Sequence, residues 1–308
     1  MHSVYFDPGF EDGRRRAELY EGQLIVRSPS PASAVLVRHA KTMIQEAFVG
    51  LDPRTAQYDL TVEEFVARFA PLKTSFIHDP RSRECLRAIL EEARCDPDET
   101  YIDVPRLRVA TSDGYLTSGV AYAHHPHRDT WYAAPMAQLN WWMPIFDYAA
   151  SAGMAFHPRY WDRAVRNGSP AFDYYRWNSE GRAQAKMHVR SDTRAQPKAE
   201  EPLDLQPEVR LIPRAGGIVL FSAAQLHSTS RNDSGMSRWS IDFRTVNLPD
   251  VIARRGAPNV DSGPTGTSLR DFVRMRDFAP MPEDVARAYD DRETVDGVLV
   301  YAGEGDAV

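Results

Sequence analysis

The chain has 308 residues, a formal net charge of −6, 43% hydrophobic and 26% charged residues. That length buries a substantial core, the composition is that of an ordinary globular protein, and the acidic balance offers no basic stripe for nucleic acid. Two cysteines, Cys85 and Cys95, are too few for a disulfide framework. No apolar run reaches the length of a membrane span, and Met1 to Asp7 lacks the apolar segment of a signal peptide. These features predict a soluble, cytoplasmic protein without nucleic-acid or membrane partners; no motif fixes its oligomeric state.

In the first thirty residues only a short strand, Gln23 to Arg27, stands out. Ser30-Pro31 reads as an N-cap followed by proline at the first helical position, opening a helix that runs to about Val49 and ends at Gly50. Thr61-Val62-Glu63-Glu64 is a capping box for a short helix that Pro71 is expected to stop. Asp79-Pro80 opens a third helix to about Arg94, with Cys85, Leu86, Ile89 and Leu90 as its apolar side. Residues 1–100 are therefore predicted to be mostly helical support for a sheet.

From Tyr101 the pattern changes to short β-favouring runs: Val104 to Ala110, Gln138 to Phe146, Ala152 to Pro158, Val209 to Ile212, Gly217 to Ser222 and Ser237 to Val246. The last alternates, with Arg238, Ser240, Asp242 and Arg244 on one face and Trp239, Ile241 and Phe243 on the other. A polar insertion, Asp162 to about Gln206, interrupts the series and holds the aromatic run Phe172 to Trp177. After a Gly/Pro/Ser/Thr-rich connector, Gly256 to Thr267, short helices are expected at Ser268 to Phe278 and Pro282 to Tyr289. Strands segregated between helices predict a mainly β fold with flanking helices: a jelly-roll core wrapped on the outside. One domain is expected, with its core over 101–250, the insertion at 162–206 and C-terminal helices over 251–308.

The chemistry concentrates in His124-His125-Pro126-His127-Arg128-Asp129. On a strand, His127 and Asp129 leave the same face. With His227 they would form a two-histidine, one-carboxylate set, which holds one face of a ferrous ion and leaves the other open. His125 and His127 are also two apart. An alternative set of His125, His127 and His227 would suit a cupin-like metal- or sugar-binding barrel.

Around His227 the order is Pro213-Arg214-Ala215-Gly216-Gly217, an apolar strand, His227-Ser228-Thr229-Ser230, Asn232 and Ser234, then Arg238, eleven residues past the histidine. This resembles the iron- and 2-oxoglutarate-dependent oxygenases, and within them the phytanoyl-CoA dioxygenase-like family, over roughly Leu107 to Val246. The resemblance implies a double-stranded β-helix, Fe(II) on His127, Asp129 and His227, 2-oxoglutarate as cosubstrate, and dioxygen. It implies that Arg238 grips the distal carboxylate of 2-oxoglutarate, helped by Ser240, with Arg244 as the alternative and Gln138 or Asn140 as a further hydrogen-bond donor. The family's P-G-S-H turn is replaced by His157-Pro158-Arg159-Tyr160. A small-molecule substrate is expected, in a tailoring step of secondary metabolism: hydroxylation, desaturation or cyclisation. Trp131, Tyr174 and Trp177 are its expected contacts, and the insertion is expected to cover the open face. Retention of Asp129 argues against halogenation, and nothing reads as an acyl-CoA site.

Overall fold

A computed structural model of the chain describes residues 3–121, 125–181, 196–290 and 292. The strands are β1 (Val4–Phe6), β2 (Leu24–Arg27), β3 (Thr100–Ile102), β4 (Arg106–Ala110), β5 (Leu139–Pro144), β6 (Met154–Phe156), β7 (Val209–Arg210), β8 (Ile218–Ser222), β9 (His227–Thr229), β10 (Arg238–Asn247) and β11 (Val273–Arg274). The helices are α1 (Asp12–Tyr20), α2 (Pro31–Ala47), α3 (Val62–His78), α4 (Pro80–Glu92), α5 (Tyr174–Arg176), α6 (Leu248–Ile252) and α7 (Glu283–Arg287). Among the described residues there are two sheets. The larger runs β1-β2-β8-β5-β10-β3-β11, with β4 also paired to β10, and the smaller is β7-β6-β9. The architecture is sheet-rich with flanking helices.

The period-2 alternation of the sequence sorts side chains to two cores. Leu139, Trp141 and Met143 of β5, Ile218 and Leu220 of β8, and Trp239, Ile241 and Phe243 of β10 meet Leu36, Ile44, Phe65, Phe69 and Leu90 of α2, α3 and α4. Trp239 is the centre of this layer: Phe48 and Phe69 meet it edge-on at 5.5 and 5.4 Å, and its indole N–H donates to Pro53 O at 2.9 Å. On the opposite face, Leu24, Val26, Trp142, Val219 and Phe221 pack against Met154 and Phe156 of the smaller sheet and Leu211 just after β7. The polar residues of β10 share this inner face, so the space between the sheets is where a site is built.

Helix starts follow the caps. Ser30 accepts from Ser33 N at 3.2 Å, Thr61 from Glu64 N at 3.3 Å, and Asp79 from Arg81 N at 2.7 Å. Three expectations need correction. α3 does not stop at Pro71 but continues to His78. Proline removes one backbone bond there, but Phe69, Leu72 and Phe76 bury the face on which the helix depends. The first thirty residues hold α1 and β1 as well as β2; β1 pairs in parallel with β2 and extends the larger sheet. Ser268 to Phe278 is not a helix but a 3-10 turn, Ser268–Asp271, followed by β11, which pairs with β3. No helix among the described residues is long and apolar enough to cross a membrane.

Candidate active site

His127 and His227 are joined by their backbones. Each N–H donates to the other's carbonyl at 3.0 Å, an antiparallel bridge at the edge of the smaller sheet. Their rings lie 4.3 Å apart between centroids. His127 Nδ1 is 2.8 Å from His125 O, and His227 Nδ1 is 3.0 Å from Gln225 O. A carbonyl only accepts, so both rings are Nδ1–H tautomers and turn Nε2 toward Asp129. Asp129 Oδ1 is 3.3 Å from His127 Nε2 and 3.9 Å from His227 Nε2, and ligand atoms of all three residues lie within 4.8 Å of one another.

The expected strand through His127 and Asp129 is not present. Asp129 opens a 3-10 turn, Asp129–Tyr132, and only Arg128 between them is extended, at φ −108° and ψ 143°. That single extended residue is enough to keep both side chains on one side.

The electrostatics suit a divalent cation. Burial pushes the His227 imidazole down to about 4, the neighbouring His127 adds to this, and Asp129 only partly opposes it, so the ring is neutral and its lone pair available near neutral pH. For Asp129, burial favours the neutral acid. The contact with His127 and the charge of Arg244 outweigh it and hold the carboxyl well below its usual range. Two imidazole nitrogens and one carboxylate on one side of a point fit Fe(II) in a facial arrangement. The His125 ring is exposed and not part of this group; it is its carbonyl that orients His127.

Asp129 Oδ2 is held separately. Asn140 Nδ2 donates to it at 2.8 Å, Gln138 Nε2 donates to Asn140 Oδ1 at 3.0 Å, and Arg244 Nη2 lies 3.9 Å away. Gln138 and Asn140, expected beside the cosubstrate, are thus engaged with the carboxylate. Sequence reasoning also missed Asp261, in the connector. Its carboxylate accepts from Arg128 Nε at 3.1 Å, Trp131 Nε1 at 2.8 Å and Val165 N at 3.0 Å. The Arg128 guanidinium in turn donates to the carbonyls of Ala224 and Tyr160, tying the segment of His127 and Asp129 to the loop before His227. A lone aspartate in a polar connector gives no sequence pattern to find.

The ligand set opens on a cavity of about 660 Å³ between the sheets, whose lining includes Arg108, Trp142, Met154, Arg238, Ser240 and Arg244. The two arginines of β10 differ. Arg244 lies near Asp103 (3.3 Å), Asp242 (3.6 Å) and Asp129 (3.9 Å); burial opposes its charge, but these carboxylates more than compensate and raise its pKa. Arg238 donates Nη1 to Ala152 O at 2.7 Å and its guanidinium carbon lies 5.3 Å from the centre of the Trp142 ring. Its Nε is buried without a hydrogen-bond partner, as is Ser240 Oγ two residues on. Burial lowers the Arg238 guanidinium to about 10, with Tyr148 and Asp242 restoring only part. An undercompensated buried cation beside an unsatisfied hydroxyl is the environment a carboxylate completes.

The expected substrate contacts are not at the cavity. Trp131 is fully buried with Tyr160, Val165 and Leu226, its N–H on Asp261. Tyr174 is buried with Phe172, Tyr175 and Ala133, its hydroxyl 2.5 Å from Asp271, and Trp177 packs on this cluster. The cluster still reaches the metal side: Tyr132 meets the His127 ring at 5.6 Å and Phe172 at 5.3 Å. From the end of the insertion, Leu205 lines the cavity. Residues 182–195, including His188, lie outside the described residues, as does His124. His157 is buried, with Nε2 3.0 Å from Ser228 Oγ.

No protein-family model matches the chain, and no curated protein matches it. Several solved structures are similar to it at low identity. EvdO2 from Micromonospora carbonacea var. aurantiaca is 13% identical at a TM-score of 0.45, over 78% of this chain and 92% of that one. The non-heme alpha-ketoglutarate-dependent carbocyclase SnoK from nogalamycin biosynthesis is 15% identical at 0.37, over 81% and 92%. The non-heme alpha-ketoglutarate-dependent epimerase SnoN from the same biosynthesis is 12% identical at 0.39, over 76% and 82%. At these values no role passes from those proteins to this chain; the residues of the site support the reading that follows.

Proposed function

We propose that this chain is a non-haem iron(II), 2-oxoglutarate-dependent oxygenase acting on a small molecule, with the two facing sheets as a jelly-roll core. The observation that supports this most is the meeting, in one cavity, of His127, Asp129 and His227 with a buried arginine whose charge is undercompensated. His127, Asp129 and His227 hold the iron, and Arg238 with Ser240 binds the distal carboxylate of the cosubstrate. When bound, iron and 2-oxoglutarate supply the dioxygen-dependent oxidation that no side chain provides. The protein's own part is orientation and exclusion of water. The histidines are fixed in tautomer by carbonyls, Asp129 is fixed by Asn140, and Trp142, Met154 and Phe221 give the cavity apolar walls. The insertion covers the open face from the Tyr132–Phe172 side. The product is a hydroxylated, desaturated or cyclised small molecule of secondary metabolism.

The test is incubation of the full chain with Fe(II), 2-oxoglutarate and dioxygen. Succinate release above the Asp129→Ala background is expected. A metal-loaded protein that neither binds 2-oxoglutarate nor releases succinate would overturn the reading in favour of a cupin-like binding barrel.

A further inference from the structure

We propose that Asn140, oriented by Gln138, is a positioning residue that turns the Asp129 carboxylate so that Oδ1 alone is presented to the metal. This rests on the iron site proposed above, but not on the reaction. A carboxylate at the end of two rotatable bonds can present either oxygen, or both. Here Oδ2 accepts from Asn140 Nδ2 at 2.8 Å, while Oδ1 faces the imidazoles at 3.3 and 3.9 Å.

A carboxamide has a donor end and an acceptor end, so it supports Asp129 in only one of its two orientations. Gln138 sets that orientation. It is two residues earlier, immediately before β5, and its Nε2 donates to Asn140 Oδ1 at 3.0 Å. With the oxygen so engaged, Nδ2 is the end left for Asp129. All of this is buried: Gln138 is 3% and Asn140 4% exposed, so water does not replace a lost donor cheaply. Arg244, at 3.9 Å from the same oxygen, supplies charge but is shared with Asp103 and Asp242 and does not select an orientation.

The experiment is calorimetric titration of Mn(II) into the full-length chain without 2-oxoglutarate, on wild type, Asn140→Ala and Gln138→Glu, with circular dichroism to check folding. Removing a group that orients a ligand weakens metal binding by about 10- to 100-fold, and this loss is expected for Asn140→Ala. Gln138→Glu is the sharper variant. Glutamate keeps the shape but accepts, so it draws Asn140 Nδ2 away and turns Oδ1 against Asp129. Its added negative charge alone would strengthen cation binding. Weaker Mn(II) binding in Gln138→Glu therefore supports orientation, and equal or stronger binding overturns it. If Asn140→Ala fails to fold, Gln138→Glu decides alone. A folded Asn140→Ala with wild-type Mn(II) affinity would also overturn the proposal. Because the metal is titrated without turnover, the role of Asn140 is decided even in a chain that releases no succinate.

Discussion

Replacing Arg238 with lysine tests whether the buried guanidinium is the cosubstrate anchor. In the structure Nη1 is committed to Ala152 O at 2.7 Å, while Nε is buried without a partner. Lysine keeps the charge but has one nitrogen, so it can satisfy Ala152 or reach into the cavity, not both in the same fork geometry. The loss is about one charge-assisted hydrogen bond, roughly 2–3 kcal/mol, which is roughly a 30- to 150-fold weaker Kd for 2-oxoglutarate. The fold should tolerate the change, because lysine keeps the cation and can still donate to Ala152 O. The assay is anaerobic calorimetric titration of 2-oxoglutarate into Mn(II)-loaded protein. A Kd within about twofold of wild type, with the loss appearing in Arg244→Lys instead, would refute this reasoning.

The ligand set separates Asp129 from His125: Asp129→Ala should abolish Mn(II) binding with the fold intact, whereas His125→Ala should retain it, since it is the carbonyl of His125 that orients His127; Mn(II) titration of both variants decides. Pro71 is exposed inside α3, so Pro71→Ala should restore a backbone bond without opening a cavity and raise stability by about 1–2 kcal/mol in urea denaturation; an unchanged midpoint would contradict this. Burial raises the Asp242 pKa, but Arg108, 2.7 Å away, and Arg244 outweigh it and hold the carboxyl below its usual value. A lowered folded pKa contributes stability that is full above the unfolded value, about 4, and fades as pH falls below it. The stability gap between wild type and Asp242→Asn should therefore be widest near pH 7 and narrow below about pH 4; a gap constant from pH 7 to 3 would count against the pairing.

What the sequence reveals about this fold is what depends on local pattern. β10 was readable because Trp239, Ile241 and Phe243 alternate with Arg238, Ser240, Asp242 and Arg244 over a full strand. The starts of α2, α3 and α4 were readable because a cap is a short-range hydrogen bond. Pro71 misled because a local penalty was outweighed by burial contributed from the sheet, which no window around residue 71 contains.

The site divides along the same line. The meeting of His127, Asp129 and His227 was expected from the H-x-D spacing together with the resemblance around His227, although the strand expected to align the first two is a turn. The preference for Arg238 over Arg244 came from the resemblance, eleven residues past His227; the strand pattern alone does not separate two arginines on one face. What separates them is their company. Asp103, 141 residues from Arg244 in sequence, meets it because β3 and β10 pair at Ile102 and Thr245. Arg238 lies at the other end of β10, beside a backbone carbonyl and an indole, where nothing neutralises it to the same degree. Charge compensation inside a protein is set by whichever carboxylates the topology brings near. Identical residues six positions apart therefore end as a neutralised support for Asp129 and a cation still short of an anion.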